Sequence, residues 1–263
     1  MMDPEPFAAV RGEGFPVVLV HGMGVDHRSL LLLDDAFPEG TRRIYLDLPG
    51  YGRTSVMPGP GGLPEYANWL LDAIDELAGR GRFALVGNSM GGALAREMIA
   101  HMPGRVAGLA LIAPVIDPVI AHRRVAEHNV HEPNPDLMHR LPLDQVLDFI
   151  RMGVNQSYEA WKRYQMYVLP GIRSFDRDAY MKLENRYWLA DDPERAFGTF
   201  DGPTTIICGR QDQIVGYEDQ EAILPHYPNV RYTVIEEAGH NVHIDRPEQV
   251  RALLSDWAAQ LPL

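Results

Sequence analysis

The chain carries a single cysteine, Cys208, in 263 residues. One thiol excludes an intramolecular disulfide and fits a reducing compartment. Set in an apolar run, Cys208 reads as a small buried hydrophobe. Long apolar runs are missing as well. No stretch approaches the roughly 20 residues that a bilayer span requires. The opening Met1-Met2-Asp3-Pro4-Glu5-Pro6 has no basic region followed by an apolar one, so it does not read as a signal peptide. Positive charge is scarce, with 24 Lys and Arg against 36 Asp and Glu and a formal net charge of −12. Such a surface repels a phosphate backbone, which argues against nucleic acid as a partner. There is no Gly-x-Gly-x-x-Gly, no phosphate-binding loop, no internal repeat and no His-Glu-x-x-His. The pairs His128/His131 and His240/His243 have the spacing of two ligands on a turn, but neither has a visible third ligand. These absences lead to an expectation of a soluble, cytoplasmic protein acting on a small molecule, with no cofactor, no metal and no membrane contact.

What is present is globular. Apolar residues make up 46% of the chain and charged residues 23%, enough for a large core. Short apolar runs end in Gly, Asp or Pro and alternate with helical patterns. Phe15–Val20, Arg43–Leu46, Phe83–Val86, Val106–Ile112, Thr204–Cys208 and Val230–Ile235 read as strands. Their nearly continuous apolar character points to a parallel sheet covered on both faces by helices. Tyr66–Leu77 places Trp69, Leu70, Ala73, Ile74 and Leu77 on one helical face, and the segment after Pro247 does the same with Val250, Leu253, Leu254 and Trp257. From about Asp117 to about Arg195 no clear strand is visible. This stretch holds Trp161, Trp188 and five tyrosines, with one helix opening at Asn134-Pro135-Asp136 and another expected over Asp178–Leu189. It reads as a helical insertion over the carboxyl ends of the strands, where open α/β sheets bind ligands. The expected division is a core of residues 1–116 and 197–263 and a helical cap of residues 117–196.

The chemistry centres on Phe83–Val86 followed by Gly87-Asn88-Ser89-Met90-Gly91-Gly92 and a helix-compatible run. Strand, Gly-x-Ser-x-Gly turn and helix in that order form the context of a nucleophile elbow. Small residues flank the serine because the turn is tight and strained. A serine hydroxyl needs a base, and the base needs an orienting partner. Asp212 follows the Thr204–Cys208 strand and His240 follows the next one, so Ser89, Asp212 and His240 share one sheet edge. His240 is the expected base and Asp212 its orienting acid, with activity falling as His240 takes up a proton. Asp117 also follows a strand and is the alternative acid. Glu236 and Glu237 lie too close to His240 in sequence. Charge on the attacked carbonyl needs N–H donors. Met90 at the helix start and Met23 after the Val17–Val20 strand are the expected pair, with His21 a brace beneath that loop.

These motifs together resemble the α/β-hydrolase superfamily, in its capped, lipase-like serine branch, over nearly the whole chain. His21-Gly22-Met23-Gly24 is similar to the family's oxyanion loop, and Asp47-Leu48-Pro49-Gly50-Tyr51-Gly52-Arg53-Thr54 to its Asp-x-x-Gly-x-Gly-x-Ser/Thr segment. Gly209-Arg210-Gln211-Asp212 and Gly239-His240 resemble its acid and histidine loops. The resemblance implies an α/β-hydrolase fold, with a mostly parallel twisted sheet flanked by helices and a helical cap inserted after the sixth core strand. It implies a serine hydrolase forming an acyl-enzyme on a small carboxylic ester. The string Gly-Asn-Ser-Met-Gly-Gly is similar to the elbow of meta-cleavage product hydrolases, which cut carbon–carbon bonds in vinylogous diketones. Those enzymes usually carry Trp after the histidine, where this chain has Asn241, and use a cap arginine, for which Arg123, Arg124 and Arg186 are candidates. A ligand-sensing protein with a hydrolase pocket is the reading from another class.

Overall fold

The computed structural model describes residues 3–189 and 191–263. Seven strands, β1 (Ala8–Arg11), β2 (Phe15–Val20), β3 (Thr41–Leu46), β4 (Phe83–Asn88), β5 (Val106–Ile112), β6 (Thr204–Gly209) and β7 (Val230–Ile235), form one sheet. Their spatial order is β1-β3-β2-β4-β5-β6-β7. Only β1 runs antiparallel to its neighbour; the other pairings are parallel. The helices are α1 (Arg28–Leu31), α2 (Leu63–Ala78), α3 (Met90–His101), α4 (Pro135–Arg140), α5 (Leu143–Met152), α6 (Tyr158–Tyr167), α7 (Leu169–Ser174), α8 (Arg177–Glu184), α9 (Pro193–Phe197), α10 (Val242–Asp245) and α11 (Pro247–Ala258).

The apolar runs of β4, β5 and β6 are buried along their whole length. They are central strands, and the two-residue period of a strand sends alternate side chains to opposite cores. Val18, Val20, Ile44, Leu85, Leu109 and Leu111 face Tyr66, Leu70 and Ile74 of α2 and Leu94 and Met98 of α3. Val17, Leu19, Tyr45, Val86, Ala110 and Ile112 face Leu30, Leu33 and the α11 residues Val250, Leu254 and Trp257.

Residues between β5 and β6 fold into α4 to α9. The insertion therefore follows the fifth strand of the chain, which corrects its expected place after the sixth. One short antiparallel strand, β1, precedes β2 among the described residues, so the parallel strand before the insertion counts as fifth. Phe149, Trp161 and Tyr164 form an aromatic knot, with centroid separations of 5.1 to 6.0 Å, that packs on Leu32 and Ile244. Asn134 caps α4 by accepting from Leu137 N–H at 3.1 Å, as the sequence indicates. The helix expected over Asp178–Leu189 is shorter. Asp176 caps α8, which ends at Glu184, and the chain then turns so that the Arg186 carbonyl accepts from Leu63 N–H at the start of α2.

Candidate active site

The turn between β4 and α3 dictates its own composition. Ser89 sits at φ 52°, ψ −114°, a conformation that L-residues rarely adopt. A Cβ on Gly87 would stand 2.4 Å from the Gly91 carbonyl oxygen, and one on Gly91 would stand 2.2 Å from that of Val20. Either would force the elbow open. Ser89 N–H donates to the Ile112 carbonyl and the Ser89 carbonyl accepts from Val115 N–H, each at 3.0 Å, so β5 and the residues after it clamp the turn.

Three polar side chains from three strand ends meet there. Ser89 Oγ lies 3.0 Å from His240 Nε2, and His240 Nδ1 lies 2.9 Å from Asp212 Oδ2. Asp212 is fully buried. Its other oxygen, Oδ1, accepts from Ile214 N–H at 2.8 Å and Val215 N–H at 2.9 Å. A carboxylate only accepts, so Nδ1 of His240 carries the proton and Nε2 is left to accept from Ser89. A hydroxyl held this way can surrender its proton as it attacks an electrophilic carbon.

Met90 is the first residue of α3, and its N–H is among those a helix start leaves free. Met23 lies in the turn after β2. A Cβ on the preceding Gly22 would stand 3.1 Å from Ser89 Cβ and Asn88 Oδ1, so this turn packs directly on the elbow. His21 beneath it is fully buried. Its Nε2 accepts from Leu48 N–H at 3.0 Å and its Nδ1 donates to the Gly22 carbonyl at 2.7 Å. Burial lowers its pKa, with Asp47 opposing, and keeps a neutral ring that ties the Met23 turn to the Asp47–Thr54 loop.

The other sequence candidates stand elsewhere. Asp117 Oδ1 accepts from Val119 N–H, with Oδ2 3.4 Å from His122, away from His240. Glu237 pairs with His131 and Arg246. Arg123 donates to the carbonyls of Asp117, Pro118 and Ile214; Arg124 pairs with Asp219; Arg186 pairs with Glu65. Among the described residues, Asp26, His27 and Asp47 form a group of possible metal ligands within 4.8 Å of one another. Asp26 is already held by Arg28, and Asp47 by His27 and the Arg53 N–H.

Asp245 was not visible as a site residue. It is buried five residues after His240, and Oδ2 accepts from Gly239 N–H at 2.8 Å while Oδ1 accepts from Asn155 N–H at 3.1 Å. It thus joins the His240 loop to the insertion. Burial, opposed by those two N–H groups, raises its pKa to about 7. His243 beside it is buried with neither ring nitrogen hydrogen-bonded, and burial, with His240 adding to it, lowers its pKa to about 3. The only sequence signal is a carboxyl group following Val242-His243-Ile244.

Residues 17–253 match the alpha/beta hydrolase family. The chain belongs to that family and is a hydrolase. It is 29% identical over 259 residues to a 2-hydroxymuconate semialdehyde hydrolase of Pseudomonas putida, an alignment covering 95% of this chain and 89% of the relative. It is 29% identical over 257 residues to a dihydrolipoyllysine-residue acetyltransferase component of an acetoin cleaving system, also of Pseudomonas putida. That alignment covers 90% of this chain, which spans 61% of the relative's length. A crystal structure of an alpha/beta superfamily hydrolase from Oenococcus oeni superposes with a TM-score of 0.88 at 29% identity, covering 98% of this chain and 97% of the other. Among the described residues, no helix is long and apolar enough to cross a membrane.

Proposed function

We propose that this protein is a serine hydrolase that cleaves a small carboxylic ester through an acyl-enzyme, with Ser89 as nucleophile, His240 as base and Asp212 as orienting acid. The observation that carries the reading is the continuous relay from Ser89 Oγ through both nitrogens of His240 to a buried Asp212 oxygen. Ser89 Oγ attacks the ester carbonyl while its proton passes to His240 Nε2. The imidazolium is stabilised by Asp212, and the oxyanion is received by the N–H groups of Met90 and Met23. Collapse expels the alcohol, which takes the proton from Nε2. Water then repeats the sequence on the acyl-enzyme and frees the acid. Residues 117–196 act as the cap whose inner wall selects the substrate.

Stopped-flow mixing with a short-chain p-nitrophenyl ester tests this. The parent protein should give a burst and turnover, and Ser89→Ala should give neither. Full activity in Ser89→Ala would sink the proposal. The 2-hydroxymuconate semialdehyde hydrolase relative supports a second reading, carbon–carbon cleavage of a vinylogous diketone by the same residues. Bleaching of a visible dienol chromophore much faster than ester turnover would favour that second reading.

A further inference from the structure

Tyr51 follows Gly50 in the loop that His21 braces. It is 1% exposed, and its buried hydroxyl proton has no acceptor among the described residues. An orphaned buried hydroxyl is costly to a fold and is uncommon unless something completes it. The Tyr51 ring meets His21 edge-on at 5.3 Å and leans on Phe175 of the insertion at 6.4 Å. The Gly24 N–H approaches the phenol oxygen, which leaves the phenol proton without an acceptor, and Tyr66, Tyr187 and Tyr180 add to the effect of burial in raising its pKa. Gly24 is the residue after Met23. Tyr66 already donates to the Pro49 carbonyl at 2.6 Å. Tyr180 and Tyr187 come from the insertion. Tyr180 packs on Phe175 at 5.2 Å and its ring lies 3.8 Å from where a Cβ on Gly24 would stand. Tyr187 packs against Ala93, Ala113 and Val115, which border Ser89.

Resting on the hydrolase reading above, we propose that Tyr51, together with Tyr180 and Tyr187, forms a hydrogen-bonding subsite beside the Met23–Gly24 turn that recognises a neutral oxygen, such as a keto, ether or hydroxyl group, on the substrate. Burial raises the pKa of all three phenols, so each keeps its proton and can donate. Arg123, the cation that acts on Tyr187, is committed to three backbone carbonyls. Arg151 acts on Tyr180 from an exposed position, whereas the groups that act on Tyr51 include no cation, so a carboxylate at Tyr51 would lose its hydration without an adjacent counter-charge and a neutral acceptor would lose far less. Aromatic walls with a few placed hydroxyls are also the usual make-up of a small-molecule pocket.

The test separates this subsite from the chemistry. Calorimetry on Ser89→Ala and on Ser89→Ala/Tyr51→Phe would compare two ligands of equal length, p-nitrophenyl valerate and p-nitrophenyl 3-methoxypropanoate. In Ser89→Ala the ether ligand should bind about tenfold more tightly, the size expected for one added hydrogen bond to a buried orphan group. Tyr51→Phe should erase that difference and leave thermal stability unchanged or raised. Equal binding of the two ligands, binding of neither, or a clear drop in melting temperature in Tyr51→Phe would overturn the subsite. Loss of the hydrolase reading has a different signature, since the parent protein would then bind the ether ligand selectively without turning it over.

Discussion

At the residue scale, the two oxygens of Asp212 have divided duties. Oδ1 is fixed by the N–H groups of Ile214 and Val215, and Oδ2 faces His240 Nδ1. In Asp212→Asn the amide oxygen must stay on the side of the two N–H donors, because an NH2 group there would meet two further donors. The NH2 then faces Nδ1 and makes it an acceptor. The imidazole proton moves to Nε2, which can no longer accept from Ser89. Asp212→Asn should therefore fold like the parent and lose activity by about 10³- to 10⁴-fold in kcat, as an equivalent tautomer inversion does in serine proteases. Ester kinetics beside a thermal melt would check this. A kcat within tenfold of the parent would show that Asp212 does not set the tautomer. Ser89, His240 and Asp212 were readable as candidates because each follows a strand-like run at the same edge of the sheet. Tyr51, Asp245 and His243 were not, since orphaned hydroxyls and buried charges arise only once distant segments close over them.

At the scale of elements, α9 is pinned to α3 by a buried ion pair. Arg96 Nε donates to Glu194 Oε1 at 2.6 Å, and Tyr227 Oη donates to the same oxygen at 2.7 Å. Burial works against both charges, and their mutual contact overcomes it, lifting the Arg96 pKa and lowering that of Glu194. The isolated Glu194→Gln change should cost about 3–5 kcal/mol, because a buried guanidinium is left without its counter-charge. Arg96→Met/Glu194→Leu should cost much less than the sum of the single changes. Urea unfolding of the parent, Arg96→Met, Glu194→Leu and the double variant measures the coupling; strict additivity would mean that solvent reaches the pair. The sequence showed neither partner as buried. Arg96 lies in α3, whose residues from Met90 to Ile99 are all buried, so its helix has no solvated face to set it apart. Elements without periodic apolar stripes were harder still. The edge strand β1, Ala8–Arg11, is half exposed and carries one large apolar residue, so only its pairing with β3 defines it. The insertion's short helices are fixed by caps and by the Phe149–Trp161–Tyr164 knot rather than by a stripe.

At the scale of the whole molecule, Asp245 and His243 give stability opposite dependences on pH. Burial raises the Asp245 pKa from 3.8 to about 7, so the folded chain keeps that proton after the unfolded chain has lost it. Its contribution is full below the unfolded value and is lost as pH rises towards 7. Burial lowers the His243 pKa from 6.5 to about 3, so the unfolded chain takes up a proton that the folded chain refuses. Its contribution is full above the unfolded value and is lost as pH falls towards 3. Between roughly pH 4 and 6.5 the two slopes cancel, which is a means of keeping the His240 loop in place while its charge environment changes. Arg246 and Arg163 temper the Asp245 charge, and His240 adds to the penalty on His243. Single variants should separate the two effects. Relative to the parent, Asp245→Asn should lose about 3 kcal/mol of stability on going from pH 6.5 to 4, on top of any fixed cost of the altered hydrogen bond to Gly239 or Asn155. His243→Leu should gain a similar amount over the same interval. Differences between each variant and the parent cancel the other acidic groups of a chain with net charge −12, so urea midpoints at four pH values suffice. Parallel curves for all three proteins would mean that neither group titrates out of its ordinary range, and the buried link between the His240 loop and the insertion would then be open to water.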